Sequence, residues 1–168
     1  MTVDRARELI DLLGLVPHPE RGHYVETYRA SLKIDGLPPP FAGPHAAATA
    51  IYFLVTRAQP TTYLHRLLSD EIFHLYEGGP LDVLLLPPEG EGEVRRLGTN
   101  LAAGERPQIV IPAGTWFAAE LGDDASHCLI GCTVAPGFEF ADFELSAGPD
   151  LAARYPAHAA RIARMTRG

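Results

Sequence analysis

Glycine and proline punctuation limits this chain more than any other feature. Sixteen Gly and 15 Pro are distributed over 168 residues. Between residues 22 and 145 they cut the sequence into short runs rich in Val, Ile, Leu, Tyr and Phe. These runs end at turn signals such as Gly78-Gly79, Pro87-Pro88, Pro112-Ala113-Gly114 and Gly122-Asp123-Asp124. About ten strands so spaced, with helical patterns only at the chain ends, define an all-β barrel or jelly roll. The chain reads as one domain over residues 1–168, with the barrel at about 22–145.

The first helix is expected over residues 2–13. Thr2 is its N-cap, Asp4 lies in the first turn, and Ala6, Leu9, Ile10 and Leu13 form one apolar face. Gly14 closes it, and Pro17 and Pro19 prevent continuation. Residues 23–29 alternate as a strand, placing His23, Val25, Thr27 and Arg29 opposite Tyr24, Glu26 and Tyr28. Residues 37–44 are a proline-rich loop. Further strands are expected at 46–56, 81–86, 94–97, 108–111, 116–121 and 127–135. A last one, at 138–145, needs a bulge near Ala141-Asp142, because Phe138 and Phe140 differ in parity from Phe143 and Leu145. The alanine-rich tail at about 148–166 is helical, with Pro156 as a kink or restart.

Composition excludes several classes. A content of 46% hydrophobic residues is enough for a sizeable core, and no apolar run approaches the roughly 20 residues needed to cross a bilayer. The N-terminus lacks a secretory pattern, so the expected location is cytoplasmic. Fourteen Lys and Arg against 21 Asp and Glu give a net charge of -7. No basic cluster is present, which argues against nucleic acid and membrane partners. Cys128 and Cys132 on one strand would be roughly 13 Å apart, too far for a mutual disulfide. They read as reduced, buried apolar residues.

The chemistry is expected around residues 61–79, TTYLHRLLSDEIFHLYEGG. Two strand-like runs, 61–67 and 71–77, flank a polar break at Ser69-Asp70. A hairpin there would bring the His65 imidazole to the Glu71 carboxylate.

The stretch from His65 to Gly78 resembles the first cupin motif, G-x5-H-x-H-x3-4-E-x6-G. His65 fits its first His, Glu71 its Glu and Gly78 its closing Gly. Pro112-Ala113-Gly114 fits the P-x-G of the second motif. The chain as a whole resembles the small single-domain cupin-5 group through PHPE at 17–20, ETYR at 26–29 and HRLLSDEIFH at 65–74. PAGTWFAA at 112–119 and CTVAPGFEFADFEL at 132–145 extend the match. The resemblance implies a double-stranded β-helix (jelly-roll) barrel, a homodimer, and a pocket between two sheets.

Two departures bear on chemistry. The positions of the second motif-1 His and of the motif-2 His are Leu67 and Phe117, so a divalent metal would find only His65 and Glu71. His74, His23 or His127 would have to complete the set, and His74 has the opposite strand parity to Glu71. The resemblance also implies Gly-Gly and an aromatic after PHPE, where this chain has Arg21-Gly22-His23. The expected pocket holds His65 and Glu71 as a catalytic acid/base pair, with Trp116 and Phe117 as walls. Tyr63, Tyr52 and His74 are further ligand-binding candidates. The reading is a protein binding a small polar metabolite, either a metal-independent epimerase or isomerase or a non-catalytic binding protein. A metal-dependent oxygenase or lyase is the third reading.

Overall fold

The computed structural model describes residues 4–167 and contains the two-sheet barrel expected from the strand spacing. Its helices and strands are α1 (Arg5–Leu13), β1 (Val16–Pro17), β2 (His23–Arg29), β3 (Lys33–Ile34), β4 (His45–Ala46) and β5 (Thr49–Thr56). There follow β6 (His65–Arg66), β7 (Asp70–Gly78), β8 (Leu81–Leu86), β9 (Glu93–Leu97) and β10 (Gln108–Ile111). The chain ends with β11 (Trp116–Leu121), β12 (His127–Ala135), β13 (Glu144–Leu145), α2 (Pro149–Arg154) and α3 (Ala159–Arg164).

One sheet has the order β1-β2-β5-β12-β7-β10 and the other β13-β6-β11-β8-β9, while β3 and β4 pair separately. All the ladders are antiparallel. Among the described residues no helix is long and apolar enough to cross a membrane.

The first helix starts later than expected. Asp4 is its N-cap, its carboxylate accepting from the Ala6 N–H, whereas Thr2 lies outside the described residues. Leu9 packs with Leu15, Leu54 and Leu129 on the outer face of the larger sheet. The tail breaks at Pro156 into two short helices, because proline supplies no amide donor to continue the first. Leu151, Tyr155, Ile162 and Met165 cover Leu64, Leu84, Leu86 and Ala118 on the outer face of the smaller sheet.

The inner faces meet over Phe53, Val55, Phe73, Val83, Leu85, Ile111, Phe117 and Ile130. Each such side chain contributes about 1.5–3 kcal/mol on burial. This core occupies the end of the barrel where β5 finishes and β12 begins. At the other end, Thr49 is opposite Val134, and Val134 is opposite Glu71. There the barrel is hollow, and the cavity is about 320 Å³.

The expected hairpin at 61–77 does not form. β6 belongs to the smaller sheet and β7 to the larger, so residues 67–69 cross between sheets and Asp70 already begins β7. Residues 61–64 are largely irregular, held by bonds such as Thr62 N–H to the Ala119 carbonyl. The correction has a physical cause. A polar break joins two antiparallel neighbours or two packed sheets equally well, and only the pairing partners decide which. The expected strand at 138–145 is likewise replaced by a 3-10 turn, Phe140–Asp142, followed by β13.

Candidate functional site

His65 and Glu71 both face the cavity, one from each sheet. His65 is fixed at both ring nitrogens. Nδ1 lies 2.8 Å from the Tyr63 carbonyl, which can only accept, so Nδ1 carries a proton. Nε2 lies 2.8 Å from Oε2 of Glu20. Burial works to lower the His65 pKa, but the Glu20 charge and hydrogen bond outweigh it, helped by Glu71 and the Tyr63 carbonyl. The net direction is upward. His65 and Glu20 therefore form a buried pair that favours the protonated imidazole.

Glu20 reaches this position through a tight turn. The His18 N–H bonds the Gly22 carbonyl and the Arg21 N–H bonds the His18 carbonyl. Arg21 and Gly22 are both left-handed, with φ of 74° and 73°. This explains the Gly-Gly expected there, since a side chain at such a φ costs about 1–2 kcal/mol. Arg21 is held in place by Thr61 Oγ1 at 2.9 Å and by the Tyr63 ring at 4.2 Å. Gly22 is required sterically as well, because a Cβ there would sit 2.7 Å from the Phe53 ring. The Tyr63 N–H bonds the Glu20 carbonyl at 2.8 Å, so the Tyr63 backbone positions both members of the pair.

Glu71 is 7% exposed, and its Oε2 has no hydrogen-bond partner. Burial pushes its carboxyl up to about 7; the nearby His65 opposes this, Glu20 adds to it, and the Cys132 thiol opposes it by hydrogen bonding. Cys132 and Cys128 are free and buried, and burial raises both thiols, Cys128 to about 12.

His18 adds a neutral imidazole. Its Nδ1 accepts from the Glu20 N–H at 3.2 Å, which leaves the proton on Nε2. Burial lowers its pKa, and this outweighs the attraction of Glu20.

Much of the remaining wall is aromatic, beside Ile51, Leu67 and Val134. Tyr24 and Phe53 come from the larger sheet, and Phe138, Phe140 and Phe143 come from the segment around the 3-10 turn. That segment is latched by His45 Nε2 on Asp142 Oδ2 at 2.6 Å, both residues being buried. Arg29 closes the rim. A bulge between Glu26 and Tyr28 reverses the alternation of β2, so Arg29 joins Tyr24 and Glu26 on the cavity side. Regular alternation would place it on the opposite face.

Several expected site residues lie elsewhere. Phe117 is in the core, its ring centroid 4.1 Å from that of His65. Its neighbour Trp116 points the other way, to the helix-covered outer face, with Arg66 over its ring at 4.6 Å. Adjacent strand residues cannot share a face, so the two could not both be walls. Arg66 pairs with Glu144, and the Asp70 carboxylate accepts from the Ala113 N–H. Tyr52 packs on the outer side, 5.9 Å from the Tyr76 ring. His74 is also on that side, within hydrogen-bonding distance of Gln108 and Thr133. Tyr63 contributes its backbone, and its ring is not part of the lining.

The residues at the site do not fit a resident metal. Among the described residues no group of three or more His, Cys, Asp or Glu is arranged to hold an ion. Leu67 and Phe117 occupy the two other ligand positions, and both ring nitrogens of His65 are already engaged.

Two antiparallel sheets enclosing an acid-bearing hollow define a cupin. More narrowly, the chain belongs to the family described as Cupin superfamily (DUF985), whose model matches residues 7–146. It is similar to a hypothetical protein from Leishmania major at 32% identity and a TM-score of 0.87, covering 97% of this chain and 99% of that one. A Shewanella oneidensis protein is 36% identical with a TM-score of 0.83, over 96% and 97% of the two chains. An uncharacterized protein of Saccharomyces cerevisiae is 28% identical over 154 residues, which is 86% of this chain and 76% of the yeast protein.

Proposed function

We propose that the barrel binds a small metabolite and moves a proton on it, as an isomerase or epimerase acting beside a carbonyl group without a resident metal. One observation carries this reading: Glu71, enclosed in the cavity, has an unpartnered oxygen and a carboxyl pushed up to about 7. A group titrating near the operating pH is suited both to take and to return a proton. The roles differ from a simple His/Glu dyad. Glu71 exchanges the proton. His65, paired with Glu20, lies near Glu71 and limits how far its carboxyl is raised. His18 offers a neutral Nε2–H donor on the same cavity.

The test is proton exchange. A panel of small carbonyl metabolites is incubated with the protein in deuterated water and followed by NMR. At least one is expected to exchange its α-proton, and Glu71→Gln should slow that exchange by about 10²–10⁴-fold. His65→Ala should also slow it. A metabolite that binds in the barrel without exchange would instead mark a binding protein, a reading that the aromatic walls favour.

A further inference from the structure

The charged groups of the cavity also restrict what can enter it. Four carboxylates line it, those of Glu20, Glu26, Glu71 and Glu139, against the two cations Arg29 and His65. The excess is negative, and neither cation is free. Arg29 gives Nε and Nη2 to Glu26 at 3.0 and 2.8 Å and Nη1 to Glu139 at 2.7 Å, and Nη2 also reaches the Phe138 carbonyl. His65 has both N–H groups committed. A carboxylate or phosphate would thus enter a negative hollow whose guanidinium is already held by two carboxylates. Breaking those bonds leaves Glu26 or Glu139 unpaired, which a bidentate anion contact would have to offset.

The unfilled polar capacity is of the other sign. Glu71 is more than nine-tenths buried and its Oε2 has no hydrogen-bond partner, which leaves room there for a donor. Tyr24, Phe138, Phe140 and Phe143 line the same hollow. The negative faces of aromatic rings attract an ammonium group and tolerate its desolvation. The volume of about 320 Å³ is near the lower end of small-molecule sites, which suits a compact ligand.

We propose that the barrel is selective for organic cations: it seats a compact ammonium-bearing molecule with its charge toward Glu71 and excludes carboxylates and phosphates. The inference shares its cavity with the proposed function but not its chemistry. A bound ammonium ion also ionises Glu71. The groups facing that carboxyl are His65 from β6, Glu20 from the turn after β1 and Cys132 from β12. Ligand binding below neutral pH therefore releases a proton from Glu71, leaving it as a carboxylate base.

The experiment uses the full chain and three probes of one skeleton, phenethylamine, phenethyl alcohol and phenylacetate, titrated calorimetrically at neutral pH. The amine is expected to bind at least about tenfold more tightly than the alcohol, with no measurable binding of phenylacetate. In Glu71→Gln the amine's advantage over the alcohol should fall to within about twofold. Phenylacetate binding as tightly as the amine, no binding of the amine at millimolar concentration, or an amine preference that persists in Glu71→Gln would each overturn the proposal. Amine selectivity without proton exchange on any carbonyl compound would remove the catalytic reading and leave this one standing.

Discussion

Glu71→Gln should make the protein more stable above neutral pH and slightly less stable in acid. The Glu71 carboxyl is pushed from an ordinary 4.5 to about 7 by burial. Between those values the folded state holds a proton that the unfolded chain has released. Stability therefore falls as pH rises through this window, with its full loss above the folded value. The gap of about 2.5, at about 1.4 kcal/mol for each unit, amounts to about 3 kcal/mol at about pH 8. Glutamine keeps the shape without the charge but adds a buried amide, which costs about 1 kcal/mol if unpaired. The net expectation is a variant about 2 kcal/mol more stable at about pH 8, of about equal stability at about pH 5, and about 1 kcal/mol less stable at about pH 3. Urea titrations at several pH values, followed by the fluorescence of the single Trp116, measure this directly. With a slope near 2 kcal/mol per molar urea, the midpoint should rise by about 1 M at the alkaline end. His65, also raised, contributes stability in the same direction of pH, but it does so in both proteins. Parallel stability curves for wild type and variant across this range would refute the account of Glu71 as a carboxyl strained by burial.

Asp142→Asn should destabilise the protein by about 3 kcal/mol in mild acid, where it leaves a buried imidazolium without its carboxylate. Burial opposes the charge on His45, but Asp142 raises its pKa overall, so the pair contributes fully below about 6.5 and is lost as pH rises through the folded value. The melting-temperature deficit of the variant should therefore shrink toward alkaline pH, and a deficit independent of pH would exclude this latch. Cys128 and Cys132 should resist a thiol-labelling reagent in the native protein and react fully after unfolding, as mass spectrometry would register. The resemblance to small cupins also implies a homodimer, for which light scattering at micromolar concentration should give twice the 18.2 kDa chain mass.

The sequence alone determined the architecture and two of the central side chains. Period-two runs cut by Gly and Pro place most strands within a residue or two, because turn residues act locally. The motif spacing picks out His65 and Glu71, and both line the cavity. What the tertiary structure decided is everything that depends on which strand pairs with which. A polar break does not reveal whether the chain turns back within one sheet or crosses to the other, and at 61–77 it crosses instead of forming a hairpin. Alternation assigns faces only while a strand is regular, so the bulge in β2 concealed Arg29, and the 3-10 turn concealed how Phe138, Phe140 and Phe143 converge. Glu20 lies 45 positions before His65 and carries no local sign that its carboxylate will lie against Nε2. The signal that existed was the PHPE run followed by a left-handed turn. Its meaning depends on a docking between the turn and residues 61–65, and that docking is a long-range contact formed only when the barrel closes.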